Sequence, residues 1–143
     1  FGANAFGIMV FSTINKHLVT KTQVIQRLRL GAYIQLFGVF VLLMAALFES
    51  TPLVWVMLGM FLTVSGIGFT GPNAMALAMS KQGARAGTAS ALMGSLQFAC
   101  GLIGGLILNF MLWSALLNMA GVMLIFVVIV LFALSQIQHE QTI

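Results

Sequence analysis

Residues 86–138 read AGTASALMGSLQFACGLIGGLILNFMLWSALLNMAGVMLIFVVIVLFALSQIQ, without one Asp, Glu, Lys, Arg or His. As one helix this stretch would be ~80 Å long at a rise of ~1.5 Å per residue, more than twice the ~30 Å hydrocarbon core of a bilayer. It must fold back once. The return is expected between Asn109 and Asn118, where Trp113 and Ser114 suit a membrane–water interface. Two spans result, at about 87–108 and 116–135, and a polar tail, 136–143, follows them.

Working towards the N-terminus, Lys81-Gln82-Gly83-Ala84-Arg85 is a short basic loop, and residues 53–80 before it carry no charge. Gly66, Gly68, Gly71 and Pro72 predict a kinked or tilted helix there, with the kink at Gly71-Pro72, because proline removes a backbone donor and loosens the preceding turn. Glu49-Ser50-Thr51-Pro52 reads as a polar turn, residues 30–48 as another span, and residues 16–29 as a second basic loop. Residues 1–15 are apolar but would rise only ~22 Å as a helix. The expected fold is therefore an all-α integral membrane protein of about five spans. Its composition agrees: 61% of the 143 residues are hydrophobic, 6% are charged and mean hydropathy is +1.11. A soluble domain carries about a quarter charged residues.

The net charge of +4 does not point to nucleic acid, because the basic residues sit in two short loops between apolar runs. Lys16, Lys21, Arg27, Arg29, Lys81 and Arg85 all fall on one side of the expected topology, and the turns on the other side carry none. They read as topology signals that place that side, and the C-terminal tail, in the cytoplasm. His17 belongs to the same loop. Because the chain opens inside an apolar run, it is expected to be a C-terminal fragment whose partners are membrane lipid and the preceding helices of the same protein.

Chemistry within the spans is limited to amides and small residues. Gly87, Ala91, Gly94, Gly101 and Gly105 recur at helical spacing, and small side chains let helix backbones approach closely in lipid. This stripe reads as a helix-packing face, or as a sliding contact in a domain that rocks. Asn4, Asn73 and Gln97 are amides inside apolar runs, where a polar group is costly unless paired. Each either bonds another helix or lines a substrate cavity. Tyr33 and Gln35 suit anchoring near a helix end, and Cys100 suits packing. With no acid inside any span, proton coupling would have to use a residue elsewhere. No catalytic set, metal-ligand cluster or phosphate-cradling loop is visible, so neither an enzyme nor a cofactor is expected.

Four places give the chain a family likeness: Gly2-Ala3-Asn4-Ala5; Ile14-Asn15-Lys16-His17-Leu18-Val19; Pro72-Asn73-Ala74-Met75-Ala76; and Ala86-Gly87-Thr88-Ala89-Ser90-Ala91-Leu92-Met93-Gly94 with Leu96-Gln97-Phe98. The pattern resembles the C-terminal half of major facilitator superfamily transporters, and within them the bicyclomycin-resistance (Bcr/CflA) drug-efflux family. The resemblance implies helices eight to twelve of a twelve-helix fold. It puts Asn4, Asn73 and Gln97 on cavity-facing helices and makes a drug-like small molecule the substrate. The loop Val19-Thr20-Lys21-Thr22-Gln23 departs from the family, whose members tend to have consecutive arginines and a glycine there. The expected function is proton-coupled multidrug efflux by alternating access in a bacterial inner membrane. A metabolite carrier of the same fold, or a non-transporting membrane scaffold, is the alternative.

Overall fold

The structure, a computed structural model, describes residues 2–48, 52–80 and 82–141, and these contain helices and turns but no strand. Glu49, Ser50, Thr51 and Lys81, which the sequence reading placed in turns, lie outside the described residues, as do the last two residues of the tail. Six α-helices follow in chain order: α1 (Gly2–Leu18), α2 (Val24–Leu47), α3 (Leu53–Ser65), α4 (Ile67–Met79), α5 (Ala86–Phe110) and α6 (Ala115–Gln141). A single 3-10 turn, Gly83–Arg85, precedes α5. Four segments are long and apolar enough to cross a membrane: Val24–Leu47, Leu53–Met79, Gly83–Phe110 and Ala115–Ile137. α1, at 17 residues, rises ~25 Å.

Two expected loops are largely helical. The segment 16–29 is a turn only at its centre. Lys16 and His17 form the last turn of α1, where positive charge favours the carbonyl end of the helix dipole. α2 begins at Val24, and the Gln26 side chain accepts a hydrogen bond from the Gln23 backbone N–H, as in a capping box. Arg27 and Arg29 therefore lie on the first two turns of α2. At the other end, α6 runs on to Gln141 through most of the expected tail.

The long span 53–79 is interrupted at Gly66 rather than at Gly71-Pro72. Gly66 keeps near-helical angles (φ −57°, ψ −22°) and lies against α2, where a Cβ would come 3.0 Å from the Gly31 carbonyl oxygen. Pro72 sits inside α4 with its ring exposed, and the helix continues through it. Its missing N–H leaves the carbonyl of Gly68, four residues back, without its usual partner. Ser12 Oγ of α1 donates a long bond, 3.5 Å, to that oxygen.

α3 and α4 run between two neighbours. Against α2 the contacts keep one antiparallel register: Gly31 meets Phe69 and Thr70, Gln35 meets Gly66, Gly38 meets Thr63 and Gly59, and Leu42 meets Gly59. Against α1 the register is parallel: Gly7 meets Phe61 and Ser65, Ser12 meets Gly68, and the rings of Phe11 and Phe69 make an edge contact at 5.9 Å. α2 packs on its remaining side against α6, where Leu28 and Ala32 meet Leu134 and Leu131.

The return between α5 and α6 falls inside the expected stretch. Asn118 Nδ2 donates to the carbonyls of Met111 and Trp113, both at 3.1 Å, and the Ser114 hydroxyl accepts the N–H of Leu117 as an N-cap. α5 itself touches only α4, α6 and the turn before it to any extent, and among its residues only Gly104 is buried. The exterior of the bundle is apolar, with Phe98, Leu112, Phe110 and Phe132 all strongly exposed.

Candidate functional site

Three of the buried polar side chains of this apolar bundle gather where α1, α2 and α4 meet. Asn15, Arg27 and Asn73 are 5%, 5% and 3% exposed. The helical registers bring them together. Arg27 continues the α2 seam through Gly31, Gln35, Gly38 and Leu42, and Asn73 continues the facing seam through Gly59, Thr63, Gly66 and Thr70. Asn15 lies two turns beyond Ile8 and Gly7 on the face of α1 that meets α4.

Asn73 is the hub. Its Oδ1 accepts from Arg27 Nε at 2.9 Å, while Nδ2 donates to Asn15 Oδ1 and to the Phe69 carbonyl, each at 2.7 Å. An amide nitrogen has two hydrogens, so both are committed. Arg27 Nη1 turns back towards the end of α1. It donates to the carbonyls of Leu18 (3.5 Å), Val19 (3.4 Å) and Thr22, and to Thr22 Oγ1 (3.3 Å), while Thr22 Oγ1 donates to the Leu18 carbonyl at 2.9 Å.

These partners of the guanidinium are neutral. A buried cation needs compensation, and the carbonyl end of α1 supplies it: the C=O groups there carry partial negative charge, reinforced by the helix dipole. Arg27 is thus a bracket that closes the C-terminus of α1, starts α2 and pins α4. The loop placement of Arg27 needs correction: it lies on α2 and is buried. Lys16, Lys21 and Arg85 are exposed, Arg29 is half-buried, and Arg27 is in the core.

The three cavity candidates do not converge in this chain. Asn73 is spent on helix–helix bonds, Asn4 is half-buried near the start of α1, ~16 Å along that helix from Asn15, and Gln97 is exposed on α5. The packing stripe on α5 is also not used between the helices described. Gly87 and Ala91 are exposed, and a Cβ on Gly87, Gly94, Gly101 or Gly105 would have no neighbour within 4 Å among the described residues. Gly104, between Gly101 and Gly105, is the glycine that meets α6, at Phe126 and Val122.

The close approaches are instead at Gly31, Gly38, Gly59, Gly66 and Gly68. For Gly31, Gly38, Gly59 and Gly66 the signal was available as two rows at helical spacing, 27-31-35-38-42 and 59-63-66-70-73. Rows of glycine, threonine and amide are the sequence mark of a helix contact in lipid.

Comparison with known proteins adds no identity. No family model, curated protein or solved structure matches the chain. Among the described residues the chain shows an all-helical bundle with four segments of membrane length, a glycine-rich seam, a buried arginine bracket and one helix, α5, of which only Gly104 is buried.

Proposed function

We propose that this chain is part of the second helical bundle of a secondary active transporter of the major facilitator type, working as a proton-coupled drug exporter of a bacterial inner membrane. The observation that carries the reading is α5. It bears the AGTASALMG stretch and Gln97, it is long enough to span, and nearly all of its surface is open. A helix with an amide and a row of glycines on an open surface is compatible with an element that rocks against a partner bundle during alternating access. Basic residues gathered at one end support an orientation with that end and the C-terminus in the cytoplasm.

In this reading the α1–α4 block moves as one rigid piece, held by the α2·α3/α4 seam and the Arg27 bracket. Gln97 and Asn4 offer amides to a drug-like substrate, and the proton is carried by an acid outside these spans. A metabolite carrier would use the same architecture. The open face of α5 also supports a second reading, a membrane scaffold that binds another helix through Gly101 and Gly105.

The test is a resistance and efflux assay on the full-length gene product, comparing wild type with Gln97→Ala at matched membrane abundance. Lost efflux with normal abundance supports a cavity role for Gln97. Efflux unchanged by the substitution removes Gln97 from the cavity, and absence of any drug phenotype in wild type turns the assignment towards a metabolite carrier or a scaffold.

A further inference from the structure

The basic end of the bundle carries more positive charge than its own contacts use. Arg27 and Arg29 are engaged, but Lys16, Lys21 and Arg85 are exposed and make no side-chain hydrogen bond or ion pair among the described residues. Carboxylates do not balance them. All six Lys and Arg of the chain fall at this end by sequence, against one of its two glutamates, Glu140 near the end of α6.

The three exposed cations sit at one height. Asn73 Nδ2 donates to Asn15 Oδ1 at 2.7 Å, so α1 and α4 share a level there, and Lys16 is the next residue of α1. Lys21 lies in the short turn, 19–23, that follows Leu18. Arg85 closes the connection 80–85, which starts where α4 ends at Met79, ~9 Å along the helix past Asn73. That spread is comparable to the headgroup layer, about 5–8 Å thick on each side of the hydrocarbon core. Connections this short also hold the charges at that level, close to the helix ends, and do not carry them out towards a nucleic acid or a soluble protein.

From this arrangement we infer that Lys16, Lys21 and Arg85 form a docking surface for the headgroups of anionic phospholipids in the leaflet on the basic side. A cation at the level of the lipid phosphates is attracted by a headgroup of net negative charge and gains little from a zwitterionic one, whose own ammonium offsets its phosphate. One engaged basic side chain is worth an about five-fold preference for the anionic lipid. The inference rests on the spans lying in a bilayer and does not depend on what, if anything, the protein transports.

Native mass spectrometry of the full chain, released from mixed micelles of phosphatidylglycerol and phosphatidylcholine, tests it. Wild type is expected to retain phosphatidylglycerol in preference. Lys16→Gln, Lys21→Gln and Arg85→Gln are each expected to lower that preference by up to about five-fold, and the triple variant to bring it close to parity. Thermal unfolding in bicelles gives a second reading on the same proteins. Phosphatidylglycerol is expected to raise the wild-type midpoint above its value in phosphatidylcholine, and the increase should be lost in 1 M salt, where the screening length is ~3 Å, and in the triple variant.

Equal retention of the two lipids by wild type overturns the surface. A preference that the triple variant keeps overturns the assignment to these residues. A midpoint raised as far by inorganic phosphate in phosphatidylcholine bicelles overturns the lipid as partner, in favour of a soluble anion.

Discussion

Arg27 of α2 donates from Nε to Oδ1 of Asn73 on α4 at 2.9 Å, across 46 residues of sequence, and both side chains are almost wholly buried. The bond closes the antiparallel seam between these helices at its basic end, and Asn15 ties α1 into it. Asn73→Ala removes the acceptor of a buried cation and is expected to cost ~1–2 kcal/mol, read as thermal unfolding in detergent. Arg27→Met is expected to cost a similar amount. The double variant should lose less than the sum, because the two changes remove one shared interaction. Strict additivity would show that the bond carries no stability.

Glycines on the seam and on α5 should respond oppositely to a methyl group. A Cβ at Gly38 would lie 2.5 Å from the Thr63 backbone nitrogen and 2.9 Å from the Gly59 carbonyl oxygen. Backbone cannot give way as a side-chain tip can, so Gly38→Ala is expected to lose ~1–3 kcal/mol. At Gly101 nothing among the described residues lies within reach, and alanine is the better helix former by ~1 kcal/mol. Gly101→Ala should therefore leave unfolding of this chain unchanged or raise its midpoint. A loss of activity or assembly in the full-length gene product, with unfolding unaffected, would assign the α5 stripe to a partner.

The Ser65 hydroxyl is fully buried and has no hydrogen-bond partner among the described residues. It faces Gly7 of α1, where an added Cβ would fall 2.0 Å from Oγ. Ser65→Ala removes an unsatisfied polar group at almost no cost in volume, and is expected to stabilise by up to ~1 kcal/mol. Gly7→Ala is expected to destabilise in the wild-type background and less so beside Ser65→Ala. A lower unfolding midpoint for Ser65→Ala alone would mean that the hydroxyl is satisfied.

Accessibility of single cysteines reads the orientation. In a Cys100→Ser background, Lys21→Cys marks the turn between α1 and α2, and Leu112→Cys marks the turn between α5 and α6, where Leu112 is 97% exposed. A membrane-impermeant maleimide added to intact cells is expected to label position 112 and not position 21, with the pattern reversed in inverted vesicles. Labelling of both from one side would mean that α5 does not cross.

Much was legible in the sequence because it depends only on local composition. Charge-free runs of membrane length, with all basic residues in two clusters, are enough to require helices that satisfy their own backbone, and the return near Trp113-Ser114 follows from length alone. The clusters were less informative about where helices end: Arg27 counts equally as a loop cation or as the first turn of α2, and only the Gln23-Gln26 cap separates the two. Gly66 was one of four candidate positions for a bend in its span, and Pro72 was the stronger local signal. The carbonyl that Pro72 leaves over meets Ser12, from a helix more than fifty residues away in sequence.

What the amino-acid sequence determined by itself is therefore the all-helical class, the presence of apolar segments of membrane length and the clustering of the positive charge between them. Each of these is a sum over neighbouring residues. Which glycines touch, which of six cations is buried and which amide is already spent were decided only by the tertiary structure. They depend on the register between helices, and several rows of small residues in this chain are equivalent until α1 and α2 close around α3 and α4. The seam through Gly31, Gly38, Gly59 and Gly66 is the row this bundle uses, because its register also brings Arg27 to Asn73 and to the carbonyls at the end of α1.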